Sequence, residues 1–115
     1  MPRINHSKDI DPDLPLFARR LKAARLQSGL SQESLGVAAG VDEFSASARV
    51  NQYERGKHAP DTLMATHLAR VLGVPLSYFW ALDDDEAELL CVYGQLGVKK
   101  RKLVLKFTEE LRSDP

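Results

Sequence analysis

Cysteine is nearly missing from this chain: Cys91 is the single one among 115 residues. No intrachain disulfide is available, and a reducing, cytoplasmic setting is the default expectation. No apolar run comes near the roughly 18 residues that a membrane span needs, so no membrane partner is expected. The opening residues, Met1 to His6, carry nothing like the apolar stretch of a signal peptide. His6, His58 and His67 stand far apart, with no cysteine beside them and no paired spacing, which argues against a metal site. Ser31 has no evident His–Asp partnership, and no phosphate loop is present. The expectation is a non-enzyme without a cofactor. Internal repeats and low-complexity segments are also missing.

A surplus of charge of one sign is lacking too, with 16 Lys and Arg against 16 Asp and Glu. That balance, read as a total, speaks against a polyanion partner. Its distribution is informative. From Leu14 to His58 seven basic residues face four acids; from Ala59 to Leu96 Arg70 alone faces six acids; from Gly97 onward six basic residues face three acids. A basic face on the first half is therefore available, and local field rather than net charge steers a polyanion.

What is present is helical periodicity. Residues 1–13 are polar, with Pro12 and three aspartates, and read as a flexible N-terminal arm. A helix begins near Asp13 to Pro15, with Asp13 as cap, and carries the apolar stripe Phe17, Leu21, Ala24. Arg19, Arg20, Lys22 and Arg25 take the remaining arc, and Gly29 ends the helix. Ser31 caps a short second helix with Leu35, Ala38 and Ala39 inward, closed by Gly40. Residues 41–46 lack periodicity, and Phe44 is expected to anchor this turn to the core. A third helix runs from Ala46 to Glu54, capped by Ser45 or Ser47, with Ala46, Val50 and Tyr53 on one face. Asp61 caps a fourth helix with Ala65, Leu68, Ala69 and Leu72 inward. Pro75 opens a short fifth, where Leu76, Phe79 and Trp80 pack. Two further helices follow, one with Leu89, Leu90, Tyr93 and Leu96 as its apolar side, the other from Val98 to Arg112 with Leu103, Val104, Phe107 and Leu111. Cys91 is read as buried.

Two short helices joined through Gly40, the second polar on its outer face, have the layout of a helix-turn-helix. A reading helix packs through one apolar face and presents donors and acceptors on the other. Asn51, Gln52 and Arg55 lie on the free side, flanked by Ser47 and Arg49. Asn and Gln match the adenine edge of the major groove, and Arg matches guanine or phosphate.

Residues 16 to 80 resemble the phage-repressor, Cro and XRE family of helix-turn-helix regulators. The resemblance rests on Arg25, Gly29 to Leu35, Ala39-Gly40-Val41, Val50 to Lys57, Pro60-Asp61, Leu68-Ala69 and Leu72-Gly73-Val74. It implies an all-α fold: a five-helix lambda-repressor-like domain, here followed by a C-terminal helical hairpin. It also implies that Gln32 contacts the DNA backbone and that Ser47, Ala48, Arg49 and Gln52 face the groove. By the same resemblance Arg55, Lys57 and His58 run along phosphates, and Arg25 and Glu54 form an ion pair joining the first and third helices. Two features depart from the family. The turn before the third helix carries about four extra residues, Asp42 to Ser45, which puts the register of the first groove contacts in question. Gly36 stands where alanine is usual, at a cost of up to about 1 kcal/mol in a helix interior, which close packing against a neighbouring helix would offset.

The expected organisation is an arm over 1–13, a DNA-binding domain over 14–81 and a helical extension over 82–115 that serves dimerisation. The expected partners are double-stranded DNA and a second copy of the chain, in a repressor acting on a palindromic operator. The alternative is an antitoxin-like module of the same fold that grips a protein partner through its C-terminal helices. The basic run Lys99 to Lys102 is read as a solvated helix start, or as a contact for the acids 83–88 of a second subunit or for flanking phosphate.

Overall fold

A computed structural model describes residues 3–6 and 10–114. The described chain is all helical: α1 (Leu16–Ser28), α2 (Gln32–Ala38), α3 (Ala46–Glu54), α4 (Thr62–Leu72), a 3-10 turn (Leu76–Trp80), α5 (Asp84–Gln95) and α6 (Val98–Ser113). The fifth helix expected from the sequence is that 3-10 turn.

Each helix begins and ends for a local reason. Ser31 accepts a hydrogen bond from the Ser34 backbone N–H, Asp61 from Met64 and Asp83 from Glu86, each capping the helix that follows. At α1 the cap is Pro15, without a side-chain bond, and not Asp13. Proline needs no N–H at a helix start and its fixed φ suits the position. Ser45 occupies the cap position of α3 and makes no side-chain bond there. Gly56 ends α3 at φ +71°, with a Cβ at that point falling 2.7 Å from Pro15 Cδ. The end of α3 thus abuts the start of α1 at a spacing only glycine permits.

Leu21, Leu35, Val50, Leu68, Tyr78 and Phe79 are the largest fully buried side chains, and they come from five different elements. The core continues past Ala81 through Ala87 and Cys91 of α5. The inward face of α5 is therefore this pair with half-buried Leu90, while Leu89 and Tyr93, assigned to the apolar side from the sequence, point to solvent. Small residues face inward because the 3-10 turn lies close beneath them. Trp80 also differs from expectation: it is 51% exposed, lies edge-on to Phe79 and packs beside Phe17, which itself touches Phe79.

Arg20 was expected on the solvated arc of α1 but is 3% exposed. Its Nε and Nη2 donate to the Ala81 carbonyl at 3.2 and 2.8 Å, and its Nη1 donates to Asp84 Oδ1 at 2.8 Å. A buried guanidinium needs such a full set of acceptors, and here they tie α1 to the start of α5. The Tyr78 hydroxyl donates to the Arg20 carbonyl at 2.9 Å, and burial pushes the phenol well above its ordinary pKa. Residues 3–6, within the expected arm, lie against this region. Ile4 packs on the core, His6 approaches Tyr78 and Arg3 pairs with Glu88.

The final helix stands apart. No residue of α6 is buried, and the chain measures 53 × 30 × 25 Å. The expected C-terminal hairpin is not formed as two helices packed side by side. Arg101 holds the junction instead, donating to the carbonyls of Tyr93 and Gly94 and lying 5.0 Å from the Tyr93 ring centroid.

Candidate nucleic-acid interface

The site begins with how α3 is held. Its inward face, Ala46, Val50 and Tyr53, is buried in the core. Its closest neighbour is α2, and the approach is set by Gly36. A Cβ on that glycine would lie 2.8 Å from Ala46 Cβ and 2.9 Å from the Ala46 carbonyl oxygen. The glycine that costs helix propensity in the interior of α2 is the residue that lets the two helices touch.

Polar bonds fix the other end of α3. The Arg25 guanidinium forks onto the Glu54 carboxylate, with Nη2 to Oε1 at 2.9 Å, and its Nη1 donates to the Leu30 carbonyl at 3.0 Å. Glu54 is 3% exposed. Gln32 adds a third element, its Nε2 donating to Glu54 Oε1 and Asn51 Oδ1, both at 3.2 Å. This network joins α1, α2 and α3 through one buried carboxylate. Such two-point, charge-assisted contacts give orientation as well as energy.

With α3 fixed, its remaining side chains are displayed. Ser47, Ala48, Arg49 and Gln52 are exposed. Arg55, Lys57 and His58 follow on the loop and are exposed as well. Among the described ion pairs none involves Arg49, Arg55 or Lys57. The loop folds back onto α3 through backbone bonds from Lys57 and His58 to the Gln52 carbonyl, which places its two basic residues beside the helix end. Arg49 also borders a shallow groove with Tyr53, Pro60, Met64 and His67.

Two of the residues singled out from sequence are otherwise engaged. Asn51, assigned to the free side, is half-buried and turned toward Gln32 of α2. Gln32 is half-buried and spends its amide N–H groups on α3. Period alone does not separate position 51 from 52, because the second helix covers only part of the outer arc.

The turn between α2 and α3 departs most from expectation. Phe44 does not anchor it; the ring is 94% exposed. The anchor is buried Val41, whose N–H bonds the Gly36 carbonyl at 2.8 Å. Ser45 N–H bonds the Asp42 carbonyl at 3.0 Å, closing a tight turn with Asp42, Glu43 and Phe44 at its outer edge. The sequence offers no signal for this, since an aromatic residue in a turn is ordinarily read as an anchor.

Known proteins share this arrangement. The sequence pattern of the helix-turn-helix family matches residues 21–79. The crystal structure of transcriptional regulator BswR superposes with a TM-score of 0.74 at 45% sequence identity, covering 81% of this chain and 92% of that one. No curated protein sequence matches the chain.

Proposed function

The chain belongs to the helix-turn-helix family, of the XRE type, and on that premise we propose that it is a DNA-binding transcription regulator that reads a palindromic operator as a homodimer and represses by occlusion. The observation that carries the reading is the contrast between the two sides of α3. One side is locked by the core and by the Arg25–Glu54–Gln32 network. The other shows Ser47, Ala48, Arg49 and Gln52 to solvent, followed by Arg55 and Lys57. Rigid display is what base readout needs, because hydrogen bonds to base edges discriminate only when the donors and acceptors are held in register. Arg55, Lys57 and His58 then serve phosphates, which position the protein without reading sequence.

The dimer is supported by α6. Leu103, Phe107 and Leu111 recur at helical spacing and all are exposed, as are Val98 and Leu105. Apolar surface of this kind marks an interaction face. A two-fold pair would set two copies of α3 about one helical turn of DNA apart, as a palindromic site requires. The likeness to transcriptional regulator BswR supports the transcription-regulator part of this reading.

The test is selection of DNA from a random pool by the purified protein, followed by titration at several salt concentrations and sedimentation of the free protein. An enriched inverted repeat, bound by a dimer with affinity falling steeply as salt rises, is the expected outcome. A folded protein that enriches no sequence overturns the reading, and co-purification with a second polypeptide bound to α6 then favours the antitoxin-like alternative.

A further inference from the structure

Phe44 is the most exposed large hydrophobic side chain among the described residues, at 94%. It is displayed by an ordered turn. Ser45 N–H closes the turn onto Asp42, Val41 is buried and bonded to Gly36, and Ala46 is buried against Gly36 on the far side. The ring therefore stands on two fixed points, one residue ahead of the α3 cap. That is the N-terminal end of the reading helix, the end that helix-turn-helix proteins direct at base edges.

The neighbours restrict what the ring meets there. Asp42 and Glu43 are exposed on the same turn, and their carboxylates repel phosphates. The chain's phosphate-seeking groups lie at the opposite end of α3, on Arg55 and Lys57. An uncharged aromatic ring on the same turn as two carboxylates suits the one apolar group that the major groove displays, the C5-methyl of thymine.

We propose that Phe44 is a specificity-determining residue whose ring packs on the methyl group of a thymine at the edge of each half-site. The extra residues of the turn carry that contact outward, beyond the reach of Ser47 and Ala48. This rests on the operator-binding reading above.

The experiment uses the full chain and the sequence it selects. Each thymine of that site is replaced in turn by deoxyuridine, which removes the methyl and keeps every hydrogen bond. Affinity is then measured for the native protein, Phe44→Ala and Phe44→Leu. One thymine per half-site is expected to respond, with native affinity falling about fourfold, the worth of one buried methyl-sized group. Phe44→Ala should bind the thymine site about tenfold more weakly for each half-site, in line with the loss of a buried phenyl, and should be indifferent to the methyl at that position. Phe44→Leu should keep part of the response. The ring is exposed, so both variants are expected to melt as the native protein does. Native affinity with Phe44→Ala, or equal methyl sensitivity in all three proteins, overturns this role while leaving operator binding intact, and assigns the ring to a contact other than DNA. Failure of the native protein to select any sequence overturns both readings, and is distinguished by that first step.

Discussion

Glu54 of α3 and Arg25 of α1 meet in a two-point contact, and the carboxylate is almost fully withdrawn from water. The pair lies on the inner side of the helix whose outer side carries the reading residues. Removing one partner leaves the other charge poorly solvated, which costs far more than an exposed pair is worth. Glu54→Ala is therefore expected to lower stability by about 3 kcal/mol, read from urea unfolding. It also releases Gln32 from one of its two acceptors. A loss below about 1 kcal/mol, the range of a surface pair, would show that the network contributes little to holding α3.

Gly36 provides a test of opposite sign to ordinary helix propensity. In an open helix interior, glycine to alanine stabilises by about 1 kcal/mol. Here the added methyl meets the Ala46 carbonyl oxygen at 2.9 Å, and backbone does not yield as a flexible side chain does. Gly36→Ala is expected to destabilise by roughly 1–3 kcal/mol, the cost of overpacking. Because the strain falls where α2 meets α3, DNA affinity should drop as well. A more stable variant would show that the two helices separate without penalty.

His6 supplies a pH dependence. The Tyr78 hydroxyl donates its proton to the Arg20 carbonyl, so it accepts from His6 Nε2, 3.0 Å away. Burial, and then the Arg20 charge, hold the imidazole below its ordinary 6.5, against smaller opposite effects of Asp84 and Glu88. With the folded pKa below the unfolded one, the unfolded chain binds more protons between the two values. Stability is full above 6.5, declines as pH falls below it and levels off under the folded pKa. His6→Gln should remove this part of the decline, measured by thermal melts from about pH 7.5 to about pH 5. Asp84 adds a separate loss at lower pH, since its hydrogen bond from Arg20 holds that carboxyl below 3.8. An unchanged profile in His6→Gln would place the arm's contact outside the folded state's energetics.

Much of the fold was legible because it follows from local signals. The bounds of α3, the caps at Ser31 and Asp61 and the end of α1 at Gly29 depend on residues within one turn of each boundary. The Arg25–Glu54 pair was legible only through the family resemblance, since nothing in the spacing of two residues 29 apart announces a contact. What escaped depends on distant packing. Arg20 reads as solvated on a helical wheel until the 3-10 turn brings the Ala81 carbonyl and Asp84 over it. Leu89 and Tyr93 read as the inner face of α5, yet the residues it turns to the core are Ala87 and Cys91 with half-buried Leu90. Phe44 is the sharpest case, because hydrophobicity assigns it inward, whereas Val41 is the buried residue of a turn that Ser45 closes onto Asp42 and Phe44 stands at its outer edge.

On the operator-binding proposal, Gln52 belongs to a reading part of the candidate interface and Lys57 to a holding part. Gln52 is exposed on α3, and its amide offers a donor and an acceptor to one base edge. Lys57 is exposed on the loop whose backbone bonds the Gln52 carbonyl, beside the end of the helix. Gln52→Ala should weaken operator binding by about 1–3 kcal/mol per half-site, the cost of one lost base contact in each. It should leave random DNA nearly unaffected, so the preference between them narrows. Lys57→Ala should weaken both DNAs alike and reduce the salt slope of the dimer by about 1.8, the share of two phosphate contacts, one from each protomer. Both variants change exposed side chains, so altered folding does not account for either result. Titrating each protein against operator and random duplex over a series of salt concentrations separates the two roles. Equal losses on both DNAs for Gln52→Ala would move that residue to the phosphate side, and an unchanged slope for Lys57→Ala would remove the loop from the contact altogether.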